Sequence, residues 1–343
     1  MTKKIIITLL ITIFAIGVIV GGAQAYRMFY KNIESKNGME NYVYVYPNTT
    51  FDELVTLIEK DNDILSEQAF RFHAKLLKFS KIKSGKYQIN SEESNIDLIR
   101  RFRNGEQTPV KITFNNIRTK EQLAARVSSQ LMFDSIAILH LLNNNDFLSQ
   151  YHFNSQTVIS LFLPDTYELF WNTSAENFMK RMHREYKAFW SNSNMEKAKK
   201  MGLTPIEVAT LASIVEEESN SSIEKPIIAG LYYNRLKRNM LLQSDPTVKY
   251  AVGDFGITRV LFKHLQIDSP YNTYKYAGLP PGPIRIPSKQ GINAVLNMKK
   301  HNYLYMCAKE TLNGEHNFAA TYLQHQRNAV RYQQALNQRK IYN

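Results

Sequence analysis

The chain has 343 residues, 44% hydrophobic and 21% charged, which excludes a disordered polyelectrolyte and leaves room for two domains of ordinary size. Its net charge of +13 suits an anionic partner such as anionic lipid or an acidic polymer. The charge is spread along the sequence, with no basic block and no zinc-finger, helix-turn-helix or RNP pattern, so nucleic acid is the weaker fit and is not expected as a partner.

Lys3-Lys4 precede an uncharged run from Ile5 to about Ala23. As a helix that run spans roughly 28 Å, close to the hydrocarbon core of a bilayer. The two lysines favour a cytoplasmic N-terminus and send the rest of the chain outside the cytoplasm. The rival reading is a cleaved signal peptide, because Ala23-Gln24-Ala25 is an A-x-A site preceded by Gly21-Gly22. The apolar run is longer than a usual signal core, so the sequence favours an uncleaved single-pass anchor in the plasma or inner membrane. Residues 1–4 are then a cytoplasmic tail, 5–25 the anchor and 26–41 a polar stalk.

A small α+β domain follows at 42–115. Tyr42-Val43-Tyr44-Val45-Tyr46 alternates as a strand does, and Pro47-Asn48 turns it. Thr50 caps a helix with apolar residues at 51, 54, 55 and 58, and a second helix is expected over Ser66–Phe79. Gly85–Ile89 reads as a strand and Asn95–Phe102 as a helix. The strand–helix–helix–strand order resembles a LysM-like carbohydrate-binding module, a family that holds N-acetylglucosamine-containing wall polymers. Val110–Phe114, followed by a helix capped by Thr119 and running to Leu131, repeats the strand-then-helix order and suggests a second half of the small domain. Residues 116–160 read as a connecting helical region, with a helix over Ser135–Gln150.

The larger domain, 161–343, opens on Leu161-Phe162-Leu163-Pro164-Asp165-Thr166-Tyr167, where Pro-Asp-Thr reads as a turn between apolar runs. Helical patterns follow through Ala175–Met182 and on to Met201, where Gly202 ends them. Thr204-Pro205-Ile206-Glu207 is a capping box with proline at the first helical position. Val208, Leu211, Ala212 and Val215 then mark one helical face. At about 100° per residue, Glu218 lies roughly 70° from the centre of that face, whereas Glu217 points nearly opposite and Glu216 sits on the far flank. A half-buried acid is what general-acid chemistry needs. Taken alone, three consecutive glutamates fit a solvated helix end equally well.

One cysteine, Cys307, makes no intramolecular disulfide, and the eight histidines show no ligand spacing, so neither a metal nor a cofactor is expected. After Ser219 the chain breaks at Asn220-Ser221-Ser222. It continues with a helix through Tyr232 that ends near Asn234-Arg235-Leu236, then Gln243-Ser244-Asp245-Pro246-Thr247, Tyr271-Asn272-Thr273-Tyr274, the rigid loop Gly278–Ile284 and His316-Asn317-Phe318. Rings, amides and carboxylates in this mix suit sugars, whose CH faces stack on aromatics and whose hydroxyls need paired donors and acceptors.

These ordered motifs resemble the endolytic murein transglycosylase (MltG/YceG-like) family over about Leu161–Tyr332, and more loosely from Val43. The resemblance implies a peptidoglycan lytic transglycosylase with a lysozyme-like site in a mainly helical α+β catalytic domain. It carries the catalytic glutamate onto Glu218 and substrate contacts onto Ser219, Asn234, Gln243, Asp245, Tyr271, Asn272 and Tyr274. For Asn234, Gln243, Asp245, Tyr271 and Asn272, a scaffold role stays as open as a cleft role; Asp165 and Tyr167 read as scaffold. Arg285-Ile286-Pro287-Ser288 and Met298 depart from the family's usual residues. The implied reaction cleaves the MurNAc-GlcNAc β-1,4 bond within a strand and leaves a 1,6-anhydro-MurNAc end. One Glu acts as acid and then as base, held protonated by burial and by the like charges of Glu216 and Glu217. The resemblance also implies work beside glycan-polymerising synthases. The alternatives are a non-catalytic wall-binding scaffold, or a muramidase with Asp245 as second carboxylate.

Overall fold

A computed structural model describes residues 2–36, 41–90 and 93–339. The N-terminal run folds as one helix, α1 (Thr2–Tyr30), exposed along its apolar length. Within it, Thr8 and Thr12 donate to the carbonyls of Lys4 and Thr8, both at 2.9 Å, so their hydroxyls are satisfied without water. Its Lys3–Tyr26 portion is, among the described residues, the one helical segment long and apolar enough to cross a membrane.

Beyond that helix the chain divides into two compact units, each with buried hydrophobic clusters of its own. The first holds Met1–Ile112 with Gln130–Met132 and Glu168–Thr173. It contains β1 (Ile33–Ser35), β2 (Asn41–Val45), α2 (Phe51–Glu59), β3 (Asn62–Ile64), α3 (Glu67–Leu76), β4 (Gly85–Ile89) and α4 (Asn95–Asn104). β2 and β4 pair antiparallel, with Val43 opposite Tyr87. Alternation turns Val43, Val45, Tyr87 and Ile89 onto Leu54, Ile58, Leu98 and Phe102. Thr50 and Glu53 form the expected cap of α2: each backbone N–H donates to the other's side chain, at 2.8 and 3.3 Å.

The expected stalk is corrected by this structure. Residues 26–30 prolong α1, and β1 pairs antiparallel with β3, Ile33 opposite Ile64. Ile33 is wholly buried, and so is Asn32, whose amide bonds Ser66 and Asn95. Residues 37–40 of that stretch lie outside the described residues.

The second unit holds Thr113–Ser129, Phe133–Tyr167 and Ser174–Asn343. β5 (Val110–Phe114) leads into it, and α5 (Lys120–Ser128) belongs to it, so the strand-then-helix repeat does not complete a second half of the small domain. The helix expected over 135–150 is two, α6 (Ser135–Asn143) and α7 (Asn145–Ser149). They are parted at Asn144, which ends one and caps the other. The Pro-Asp-Thr turn is displaced: Asp165 and Thr166 already belong to a strand, β6 (Asp165–Leu169), which pairs with β5. α8 (Ala175–Phe189) and α9 (Asn192–Met201) are likewise separate, and Gly202 closes α9 in a left-handed conformation.

At the centre lies α10 (Pro205–Glu218), started by the expected capping box: Thr204 N–H donates to Glu207 Oε2 at 2.7 Å and Glu207 N–H to Thr204 Oγ1 at 3.2 Å. The expected one-sided face is corrected, because every residue from Val208 to Val215 is buried. A helix buried on every side belongs inside a core, and the two polar residues of this stretch, Thr210 and Ser213, are hydrogen-bonded within it. It packs against α9, α11 (Lys225–Lys237), α12 (Asp245–Val252) and α14 (Lys289–Leu296). Its buried Ser213 donates to Thr210 O and accepts from Ile284 N–H at 3.0 Å, tying the Pro/Gly loop to the helix. Between α12 and α14 sits the short α13 (Phe262–Leu265); β7 (Tyr305–Ala308), β8 (His316–Ala319) and α15 (Tyr322–Gln338) complete the unit. β7 and β8 pair antiparallel, Ala308 opposite His316.

Candidate active site

Glu218 is the last helical residue of α10 and lines a cleft of about 260 Å³ with Tyr232, Gln243, Asp245, Tyr274 and His316. Its Oε1 accepts two hydroxyl protons, from Tyr232 at 2.6 Å and from Ser244 at 2.5 Å. Both reach the same oxygen, which leaves Oε2 for the acid's own proton. Burial is the main cause that pushes the Glu218 pKa above the ordinary carboxyl value. The hydroxyls of Ser244 and Tyr232 pull it down, Asp245 pushes it up again, and His316 lowers it. The negative end of α10 acts in the same direction as burial.

The expected contribution of Glu216 and Glu217 is corrected. Glu217 accepts from Arg118, at 3.0 Å to each oxygen, and from Arg285 at 2.7 Å. Glu216 accepts from Ser288 N–H at 2.7 Å, with Lys225 Nζ 3.9 Å away. Cationic and N–H partners absorb both charges, and the like charge that acts on Glu218 comes from Asp245.

Of the eight residues singled out from sequence, four meet at the cleft: Glu218, Gln243, Asp245 and Tyr274. Tyr274 Oη donates to Asp245 Oδ1 at 2.6 Å, and burial followed by Asp245 raises its pKa. Gln243 has a φ of 53°, a left-handed conformation uncommon for a residue with a side chain, and this turn sets Ser244 beneath Glu218. The other four do different work. Ser219, buried, donates to Glu224 Oε2 at 3.1 Å. Asn234 donates to the carbonyls of His301 and Tyr303, at 2.7 and 3.1 Å. Asn272, wholly buried, donates to those of Leu265 and Ile267 and accepts from Tyr274 N–H. Tyr271 packs on Tyr250 with ring centroids 4.7 Å apart.

Several further residues at the site lie outside the eight singled out from sequence. Tyr232 reads as one of the residues lining the helix that is now α11, and Ser244 as one position of the Gln243-Ser244-Asp245-Pro246-Thr247 motif. Ser244 is fixed by its N–H to Thr273 Oγ1 at 3.0 Å and by Thr247 Oγ1 to its carbonyl at 2.7 Å. Arg235 spans from Leu304 O to Leu242 O, at 2.6 and 2.8 Å, joining the two loops that flank the cleft. Glu224, 6% exposed, accepts from His316 N–H at 2.8 Å and bonds His316 Nδ1 at 3.0 Å. That holds the cleft-lining imidazole in place and commits one ring nitrogen. Among the described residues, no group of three or more His, Cys, Asp and Glu has the arrangement to hold a metal ion.

Residues 43–331 match the model of the YceG-like family. An endolytic murein transglycosylase of Bacillus subtilis (strain 168) is 29% identical over 338 residues, covering 94% of this chain and 93% of that protein. One from Streptococcus pneumoniae serotype 2 is 30% identical over 315 residues, covering 82% of this chain but 56% of the longer relative. The crystal structure of a YceG-like protein from Listeria monocytogenes superposes with a TM-score of 0.55 at 26% identity, covering 84% of this chain and 98% of that one.

Proposed function

The chain belongs to the YceG-like family, and from that footing we propose that it is a membrane-anchored peptidoglycan lytic transglycosylase with Glu218 as its catalytic acid and base. Endolytic murein transglycosylases are its relatives, and peptidoglycan is the substrate that their name implies. The observation that carries the assignment is the Glu218 carboxyl: one oxygen fixed by two hydroxyls, a raised pKa, and a cleft in front of it.

Protonated Glu218 gives its proton to the glycosidic oxygen as the bond from that oxygen to C1 of N-acetylmuramic acid breaks. The C6 hydroxyl of the same sugar attacks C1, and the Glu218 carboxylate takes the hydroxyl proton, so the acid is restored within one turnover. The product carries a 1,6-anhydro ring. An intramolecular nucleophile has a high effective molarity and replaces the water that a second carboxylate would otherwise activate. Asp245, Gln243 and Tyr274 are the sugar-facing groups in this reading. Ser219, Asn234, Tyr271 and Asn272 hold the frame.

α1, with Lys3 and Lys4 at its start, acts as the single-pass anchor and leaves the catalytic unit outside the cytoplasm. The strand–helix–helix–strand order of β2, α2, α3 and β4, with only the three-residue β3 between the two helices, supports a LysM-like role in holding glycan, and glycan-polymerising synthases are the partners that this placement suggests. The test is end-group analysis of purified peptidoglycan digested by the full chain. Anhydro-muropeptides inside cleaved strands are expected. Reducing ends would point to hydrolysis with Asp245 as second carboxylate, and intact strands to a non-catalytic scaffold.

A further inference from the structure

α11 has two working faces. Leu231, Tyr232 and Arg235 line the Glu218 cleft. Gly230, Tyr233, Asn234 and Lys237, at i, i+3, i+4 and i+7, line a second and larger cleft of about 790 Å³. Lys197, Lys200, Lys237, Lys299 and Lys300 also lie on that cleft, with no acidic residue among its lining. None of the five is in an ion pair among the described residues. Lys197 donates to Asn297 Oδ1 at 2.8 Å, and Lys237 Nζ sits 4.9 Å from the Tyr233 ring centroid. The charge belongs to these lysines and not to His301, whose Nε2 bonds Ile227 O and whose Nδ1 accepts from Tyr303 N–H.

The cleft is a fixed feature of the unit. A Cβ at Gly230 would stand 2.4 Å from Lys299 O and 2.8 Å from His301 Nε2, so only glycine lets α11 lie this close to the loop that carries Lys299 and Lys300. Asn234 pins the same loop through the carbonyls of His301 and Tyr303, and Tyr233 Oη pins α9 through Met201 O at 2.7 Å. Tyr233 and the motif residue Asn234, which the reaction does not use, are thus spent on holding this basic cleft in shape.

We propose that this lysine-lined cleft is a second binding site for the glycan strand and takes the carboxylates of the peptides that branch from it; the inference rests on the substrate assigned above. Five ammonium groups in one concavity, without a carboxylate of the lining to neutralise them, match a ligand with several carboxylates. A helix is about 10 Å across, so a strand in the Glu218 cleft has its neighbouring branches within reach of the other face of α11. A lipid headgroup would have no such reason to share a helix with the sugar cleft.

The test uses the full chain in detergent, with Glu218→Gln added so that binding is read without turnover. Sedimentation with insoluble peptidoglycan is compared with binding to glycan strands stripped of peptides by an amidase, for parent and for Lys237→Glu/Lys299→Glu/Lys300→Glu. The triple variant is expected to bind peptide-bearing strands about tenfold more weakly, from three exposed charge pairs each worth a fraction of a kcal/mol, with a shallower salt dependence. Stripped strands should bind parent and variant alike. With Glu218 restored, the loss should appear in KM on peptide-bearing strands and not in kcat. The corresponding triple Lys→Gln variant should show a smaller loss in the same direction, which separates charge from misfolding. Equal losses on both strand types, no loss on either, or a loss confined to vesicles of anionic lipid would overturn the proposal. Binding is read without chemistry, so an absence of anhydro ends would count against the assigned reaction and not against this site.

Discussion

Glu217 and Glu218 are neighbours of one residue type at the end of one helix, and their surroundings differ in every respect. Glu217 meets two guanidinium groups, those of Arg118 and Arg285, and Arg285 is itself held by Asn116. Glu218 meets two hydroxyls and, across the cleft, another carboxylate. A guanidinium fork fixes a carboxylate as an anion partner, whereas hydroxyl donors orient a carboxyl without supplying a charge. The first arrangement suits a structural tie and the second suits a proton donor. The adjacent side chains are separated by helical geometry, which points them at different parts of the unit.

Substitutions can break that comparison on either side. The largest expected effect is Glu218→Gln, which should lower turnover on peptidoglycan by about 10³-fold, the scale of a lost general acid, while urea denaturation shows the fold intact. Glu217→Gln should do the reverse. It leaves two guanidinium groups without a counter-charge and should cost about 2 kcal/mol in the same denaturation, with turnover of the folded fraction retained. Ser244→Ala should lower turnover about tenfold by loosening the acid. It also removes a hydrogen bond that lowers the Glu218 pKa, so the alkaline limb of the pH–rate profile should move to higher pH. Thr204→Ala, at the far end of α10, should cost about 1 kcal/mol through the lost cap and leave the pH profile where it was.

The pH dependence of stability sharpens the same contrast. The pKa of Glu218 is raised on folding. Its contribution to stability is therefore fully present below the ordinary glutamate value, about 4.3, and is lost as pH rises through the raised folded value. Thermal melts of the parent and of Glu218→Gln should accordingly diverge as pH rises over that window, with the Gln variant the more stable.

Much of the frame is legible in local sequence because its causes are local. The caps at Thr50, Thr119 and Thr204 are read from residues three apart, and the alternation of β2 and β4 from residues two apart. What escapes is whatever depends on a distant partner. β1 has three residues and exists because Ile33 meets Ile64. Helical phase selects Glu218 from its two neighbours, yet α10 is buried all round, and phase alone does not distinguish a buried acid from a paired one. The distinction lies in Tyr232 and Ser244, which arrive from 14 and 26 residues away. The same holds for the motifs. Their residue types announce polar work, and only the fold separates Asp245 and Tyr274, which face the cleft, from Asn234 and Asn272, whose amides are consumed by backbone carbonyls.

The most direct test of the central claim is mass spectrometry of peptidoglycan digested in parallel by the Glu217→Gln and Glu218→Gln variants, each assayed at a temperature where it is folded. The account predicts 1,6-anhydro-muropeptides from Glu217→Gln and none from Glu218→Gln. Anhydro ends from Glu218→Gln at the parent's level would contradict it.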